Sequence, residues 1–278
     1  MKTLYISDLD GTLLRSDERI SEYTAEVINL LVENGMLFSY ATARSYLTAR
    51  KVTAGLTAEI PVIIYNGAFI LDSITQKILL ENYFKEQEAV QIMKEFIHRD
   101  ISPIVYTMLE GKEKFSYLNG AETRGMKIFL NSRKGDVREN PVNSRELLYQ
   151  GNIFYFTCID EEEKLKPVYE LLKTQYYCVF QKDIYSGEQW LEIMPHGTSK
   201  SLAAQRLKDY LKCDRIVAFG DGKNDMDLFE IADESYAVGN AQDCLKEIAT
   251  AVIEDNNHDG VAKWLWEHFG KNRKETDL

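Results

Sequence analysis

Met1-Lys2-Thr3-Leu4-Tyr5-Ile6-Ser7-Asp8-Leu9-Asp10-Gly11-Thr12 is the stretch whose reading decides the fold. Met1 to Ser7 reads as a short apolar strand, and it runs into two carboxylates two positions apart. A buried strand has no ordinary use for acids at its C-terminal end, because a buried charge is costly unless it is paired or bound to a metal. In open α/β sheets, ligands bind outside the carboxyl ends of the strands. Asp8 and Asp10, followed by Gly11 and Thr12, therefore suit a divalent cation and a phosphate group. Taken alone, Asp-x-Asp-Gly is also compatible with a surface turn, since both residue types favour turns.

Outward from this strand, Ser21 is placed to cap a helix with apolar residues at Ala25, Val27, Ile28, Leu30 and Leu31, and Gly35 is a good stop. Met36 to Thr42 predicts a second strand, Ala43 to Leu56 a helix and Pro61 to Tyr65 a third strand. This is βαβαβ, the pattern of a parallel sheet. The rhythm changes at Asn66-Gly67, where Ala68 to Leu71 and Lys77 to Leu80 read as a hairpin. From Phe84 to Gly187 strands and helices alternate without an acid-bearing strand end, which predicts an inserted α/β domain of roughly 100 residues.

The parallel pattern resumes after Pro195. Ser199 to Leu211 predicts a helix, and Arg215 to Phe219 a strand that ends in Gly220-Asp221-Gly222-Lys223-Asn224-Asp225. Helices at Met226 to Ala232 and Ala241 to Ala249 flank a strand at Ser235 to Val238, and Gly260 to Phe269 closes as a helix. The expected fold class is α/β. It has a Rossmann-like parallel-sheet core from residues 1–83 and 188–278, and an inserted α/β domain at 84–187.

Composition narrows the partners. The 278 residues carry 33 Lys and Arg against 44 Asp and Glu, a net charge of −11. An acidic surface argues against nucleic acid and anionic membranes as partners. No run approaches the roughly 18 apolar residues that span a bilayer. The four cysteines, Cys158, Cys178, Cys213 and Cys244, are widely spaced and show no zinc-site pattern. Reduced thiols and an N-terminus that is a strand, not a signal peptide, point to the cytoplasm. Oligomeric state is not readable.

Three further signals share the strand-end or helix-start setting of Asp8 and Asp10. Thr42 ends a strand just before a helix, where backbone N–H groups bind phosphate well; a simple helix cap is the plain alternative. Lys200 follows the loop Pro195-His196-Gly197-Thr198-Ser199. Most lysines are merely solvated, but a cation sits poorly at the positive end of a helix unless an anion is near. Asp221, Asn224 and Asp225 place two acids and an amide at one strand end.

Together these residues resemble the haloacid dehalogenase superfamily, and within it the Cof-type sugar-phosphate phosphatases of subclass IIB. Asp8-Leu9-Asp10-Gly11-Thr12 is similar to the first motif of that family, Thr42 to the second, Lys200 to the third and Gly220 to Asp225 to the fourth. Tyr65-Asn66-Gly67-Ala68, Leu191 to Pro195 and Asp259-Gly260-Val261-Ala262 are also similar. One departure is Ala43, where the family usually has Gly.

The resemblance implies a Mg2+-dependent phosphatase acting on small phosphorylated metabolites. Asp8 would be the nucleophile and Asp10 the acid and base. Lys200 would serve catalysis and hold phosphate with Thr42, Ala43 and Asn224. Asp8, the main chain of Asp10 and Asp221 would be the metal ligands, with Asp225 behind them. A phosphomutase of the same superfamily is the alternative enzyme, and a phosphate-sensing module the non-catalytic one. The inserted domain would act as a cap that sets specificity. Tyr106, Phe115, Tyr117, Phe154, Tyr155 and Tyr185 could line it or simply pack its interior, and Glu188 and Trp190 are candidates for its inner face.

Overall fold

The structure is a computed structural model that describes residues 1–182 and 187–270. Its opening strand β1 (Thr3–Asp8) buries Ile6, Ser7 and Asp8 in succession. A turn through Gly11, with φ +78, reverses the chain after it. Helix α1 (Glu22–Glu33) follows, capped by the Ser21 hydroxyl, which accepts from the Thr24 N–H at 3.0 Å. Strand β2 (Leu37–Ala41) leads to α2 (Tyr46–Val52), β3 (Pro61–Ile64) and the antiparallel hairpin of β4 (Phe69–Asp72) and β5 (Ile78–Glu81).

The helix expected from Ala43 starts three residues later. Thr42 donates its N–H to Ile63 and accepts from Asn66, while the Arg44 carbonyl accepts from Tyr65. Those bonds tie residues 42–44 to the chain beyond β3, so they cannot join a helix. Ser45 is the cap instead, accepting from the Thr48 N–H at 3.2 Å. Ala43 is exposed and is not among the residues with positive φ, so alanine there carries no backbone strain.

Two compact units divide the chain, Met1–Glu81 with Ser199–Leu278 and Asn82–Thr198. In the second unit, α3 (Glu86–His98), β6 (Ile104–Leu109), β7 (Lys112–Leu118), α4 (Arg124–Ser132), β8 (Glu139–Val142), β9 (Asn152–Asp160), α5 (Glu162–Leu172), β10 (Tyr177–Lys182) and β11 (Gln189–Met194) follow in order. They form a six-stranded sheet, ordered β10-β11-β9-β6-β7-β8. Ile92, Met93 and Phe96 of α3, with Leu165, Val168 and Leu172 of α5, bury one core with Val105, Phe156, Leu191 and Ile193 of the sheet. The pattern of residues 121–150 did not reveal α4 and β8. The second boundary also lies later than residue 188, because β11 pairs antiparallel with both β9 and β10.

Back in the first unit, α6 (Lys200–Leu211), β12 (Arg215–Gly220), α7 (Met226–Ile231), β13 (Glu234–Ala237), α8 (Asp243–Lys246), β14 (Ala251–Val252) and α9 (Gly260–Leu265) complete the fold. The eight-stranded sheet has the order β14-β13-β12-β1-β2-β3-β4-β5. Its strands are parallel from β14 through β3, and β4 and β5 are antiparallel. The chain winds one way from β1 through β2 and β3, and the other way from β12 through β13 and β14. The strand order therefore switches direction at β1, where such sheets form their ligand crevice.

Candidate active site

Strand register brings the predicted residues to one edge. Asp8 is the register partner of Ala41, so Thr42 follows directly beside it. On the other side Ser7 pairs with Phe219, and Gly220-Asp221 continue past it. Lys200 reaches this edge from the first position of α6, whose cap Ser199 accepts from the Leu202 N–H at 3.1 Å. Gly67, with φ +100, lies against the Ser199 carbonyl; a Cβ there would fall 2.3 Å from that oxygen. Only glycine allows that approach and that backbone angle together.

The Lys200 ammonium is buried, 1% exposed, and bonds two carboxylates, Asp8 and Asp225. Its distance to Asp225 Oδ1 is 2.7 Å. Asp225 Oδ2 accepts from the Asp221 and Gly222 amides at 3.1 and 3.2 Å. Both Asp225 oxygens are thus engaged by donors. Asp221 accepts from the Thr12 hydroxyl at 3.2 Å. Asn224 is exposed in the turn Lys223–Asp225 of the same loop.

Burial and charge act together on these groups. Burial pushes the Asp8 carboxyl well above the usual carboxylate range; Lys200 opposes this, and Asp225 and Asp221 add to it. Asp221 is lifted to about 6, first by burial and then by Asp225, with Thr12 and Lys200 opposing. Burial works against the Lys200 charge, but Asp225 and Asp8 outweigh it and hold the ammonium above its ordinary value.

Carboxylate oxygens of Asp8, Asp221 and Asp225 lie within 4.8 Å of one another. Three acids cluster beside one lysine that bonds only two of them, and all the donors are hard oxygens, so the set fits a hard divalent cation. With Asp225 already engaged by three donors, Asp8 and Asp221 are the carboxylates open to a metal. The Asp10 side chain lies outside this cluster.

Arg44 holds Asp10 instead. Its Nε lies 3.1 and 2.8 Å from the two carboxylate oxygens, and its Nη2 is 2.5 Å from Oδ1. The same Nη2 reaches Glu18 at 2.9 Å. The Arg44 N–H also donates to the Thr42 hydroxyl at 3.1 Å, so one residue links two of the predicted positions. Sequence reasoning missed Arg44 and Glu18. The available signal was a fork-shaped cation two positions beyond a strand-end threonine.

Asp259, in a segment singled out by resemblance, ties the chain after β1 to α1 and α9. It accepts from Arg15 at 2.5 Å, Ser21 at 2.7 Å and Thr24 at 3.1 Å.

Residues 5–265 match the sequence model of the haloacid dehalogenase-like hydrolase family. The chain belongs to that family. A Bacillus subtilis relative of this hydrolase, the 5-amino-6-(5-phospho-D-ribitylamino)uracil phosphatase YwtE, is 30% identical over 289 residues, 95% of this chain and 97% of its own. A second phosphatase so named, YitU of the same organism, is 27% identical over 274 residues, covering 94% and 96%. The solved structure of a haloacid dehalogenase-like hydrolase from Bacteroides thetaiotaomicron superposes with a TM-score of 0.77 at 22% identity, covering 96% of this chain and 99% of that one. That last likeness is one of fold.

In the second unit, Tyr106, Phe115, Tyr117, Phe154 and Tyr155 are all buried. Tyr106 packs against Phe115, Phe154 and Tyr155. Tyr185 lies outside the described residues. Glu188 is ion-paired with Arg124, and Trp190 packs edge-on against Phe129. All four cysteines are free. Among the described residues, no helix is long and apolar enough to cross a membrane.

Proposed function

We propose that this haloacid dehalogenase-like phosphatase is Mg2+-dependent and hydrolyses small phosphorylated metabolites, sugar phosphates foremost, through an aspartyl-phosphate on Asp8. The observation that carries the reading is the buried ammonium of Lys200 shared by Asp8 and Asp225 beside Asp221. A carboxylate so placed can be a nucleophile only if its charge is offset, and Lys200 is in direct contact to do that.

Asp8 attacks phosphorus, and the bond from phosphorus to the substrate's alkoxide oxygen breaks. Asp10 gives that oxygen a proton, then takes one from the water that attacks the acyl phosphate. The bond between phosphorus and Asp8 breaks, inorganic phosphate leaves and the Asp8 carboxylate is restored. Thr42, the Ala43 amide, Lys200 and Asn224 hold the phosphoryl oxygens, and Asp225 fixes Lys200. Arg44, itself paired with Glu18, holds Asp10 ready between steps. Mg2+, held by Asp8, Asp221 and the main-chain carbonyl of Asp10, would neutralise charge that develops on the phosphoryl oxygens. Residues 82–198 form the cap that sets substrate specificity. The four free thiols support a cytoplasmic setting, and the net charge of −11 supports a substrate other than nucleic acid.

The test is phosphate release from a panel of phosphorylated metabolites, with Asp8→Asn as the control. The panel includes sugar phosphates and the phosphorylated ribitylaminouracil for which the two relatives are named. Steady release that depends on Asp8 supports the reading. Transfer of label from a bisphosphate to a second substrate, in place of release to water, would favour a mutase.

A further inference from the structure

The segment between β13 and α8 belongs to no motif read from the sequence, yet it touches both acidic loops. The Asn240 side-chain amide donates to the Gly11 carbonyl at 2.7 Å, and its Oδ1 accepts from the Asn256 N–H at 3.1 Å. Only one orientation of that amide satisfies both bonds, since a carbonyl needs a donor and an N–H an acceptor. Two residues on, the Gln242 N–H donates to the Asp221 carbonyl at 2.8 Å. Gly11 in turn lies against Asp221: a Cβ at Gly11 would fall 2.4 Å from Asp221 Oδ2. The contacts close a ring through Gly11, Asp221, Gln242 and Asn240. Asn256 braces the ring from outside, donating its side chain to the Leu14 carbonyl at 2.8 Å.

We propose that Asn240 is a positioning residue for the acidic site: it fixes the Asp10–Gly11 turn at its distance from Asp221 and so sets the affinity for a divalent cation. The inference rests on the proposal that Asp8 and Asp221 hold that cation. Groups that orient metal ligands typically change affinity about 10–100-fold when removed. Asn240 is exposed and contributes one bond to the loop, so its loss should weaken binding about tenfold, the low end of that range.

The experiment measures Mn2+ binding to the intact chain by electron paramagnetic resonance, with Mg2+ as competitor. The variants are Asn240→Ala, Asn240→Asp and Asp221→Asn, and circular dichroism of each without metal checks the fold. Asn240→Asp keeps an acceptor for Asn256 but turns an oxygen toward the Gly11 carbonyl. It separates the bond proposed to matter from the one that merely supports. Weaker binding by both Asn240 variants, with the metal-free fold intact, is the expected result. Parental affinity in Asn240→Asp or in Asn240→Ala overturns the inference. If Asp221→Asn itself binds Mn2+ as tightly as the parent, the metal-site reading beneath it is wrong. Loss in Asp221→Asn with no change in the Asn240 variants overturns the inference alone.

Discussion

Replacing Lys200 by methionine removes the ammonium shared by Asp8 and Asp225 while nearly preserving side-chain length. Lys200 is 1% exposed, Asp8 4% and Asp225 0%, so water cannot take over its role. Removing one partner of a buried ion pair costs about 3–5 kcal/mol, because the remaining charge is uncompensated. Asp225 keeps its two amide donors, so the penalty falls mainly on Asp8 and the lower end applies, about 3 kcal/mol. At about 2–4 °C per kcal/mol for a domain of this size, the first unit should melt about 6–12 °C lower.

The sign of the pH dependence follows from Asp8. Its carboxyl already lies above the usual range because of burial, and losing Lys200 raises it further. The native variant then holds a proton that the unfolded chain releases, so its stability falls as pH rises from the ordinary carboxylate pKa through the elevated native one. Asp221, lifted to about 6, acts in the same direction in parent and variant. The deficit of Lys200→Met should therefore be large at about pH 8 and smaller at about pH 5. Thermal melting by circular dichroism in metal-free buffer at both pH values measures it. Equal melting temperatures for parent and variant at the higher pH would show that the ammonium does not neutralise a buried acid, and the nucleophile argument would fall with it.

Other outcomes are expected. EDTA should abolish phosphate release and Mg2+ restore it. Asp221→Asn should lose the metal response yet melt no lower than the parent without metal, since a neutral amide replaces a carboxyl lifted to about 6; full activity in EDTA refutes metal dependence. Asp10→Asn should form phosphoenzyme from p-nitrophenyl phosphate readily but hydrolyse it about 10²–10⁴-fold more slowly, as rapid quench will read. Normal turnover of an alkyl phosphate by that variant would mean that the roles are misassigned. Arg44→Ala should slow the same hydrolysis by about tenfold or more through a misplaced Asp10, with Arg44→Lys recovering part of it, because an ammonium cannot fork onto a carboxylate. Unchanged decay kinetics in Arg44→Ala would leave Arg44 a structural role alone. Gly67→Ala should cost roughly 1–3 kcal/mol from the strained φ and the contact with the Ser199 carbonyl; a melting curve that does not move refutes the close approach.

The sequence by itself determined the parallel core, the inserted unit and the edge residues Asp8, Asp221 and Lys200. Each of these rests on a local signal. An apolar strand that ends in acids, or a lysine at a capped helix start, is improbable without a compensating charge nearby. Tertiary structure decided what depends on partners far along the chain. The start of α2 moved to Tyr46 because Thr42 and Arg44 bond to residues beyond β3, and propensity cannot foresee that competition. The second boundary fell after residue 198 because β11 pairs with β9, a strand that ends at Asp160, and register is set by which face is buried. Spacing sets Asp10 close to Asp8, and only the tertiary structure shows that its carboxylate is held by Arg44, 34 positions away in the chain. Asn240 carries no local signal at all. Its role arises only where β13 lies beside β12, bringing its loop against Gly11 and Asp221.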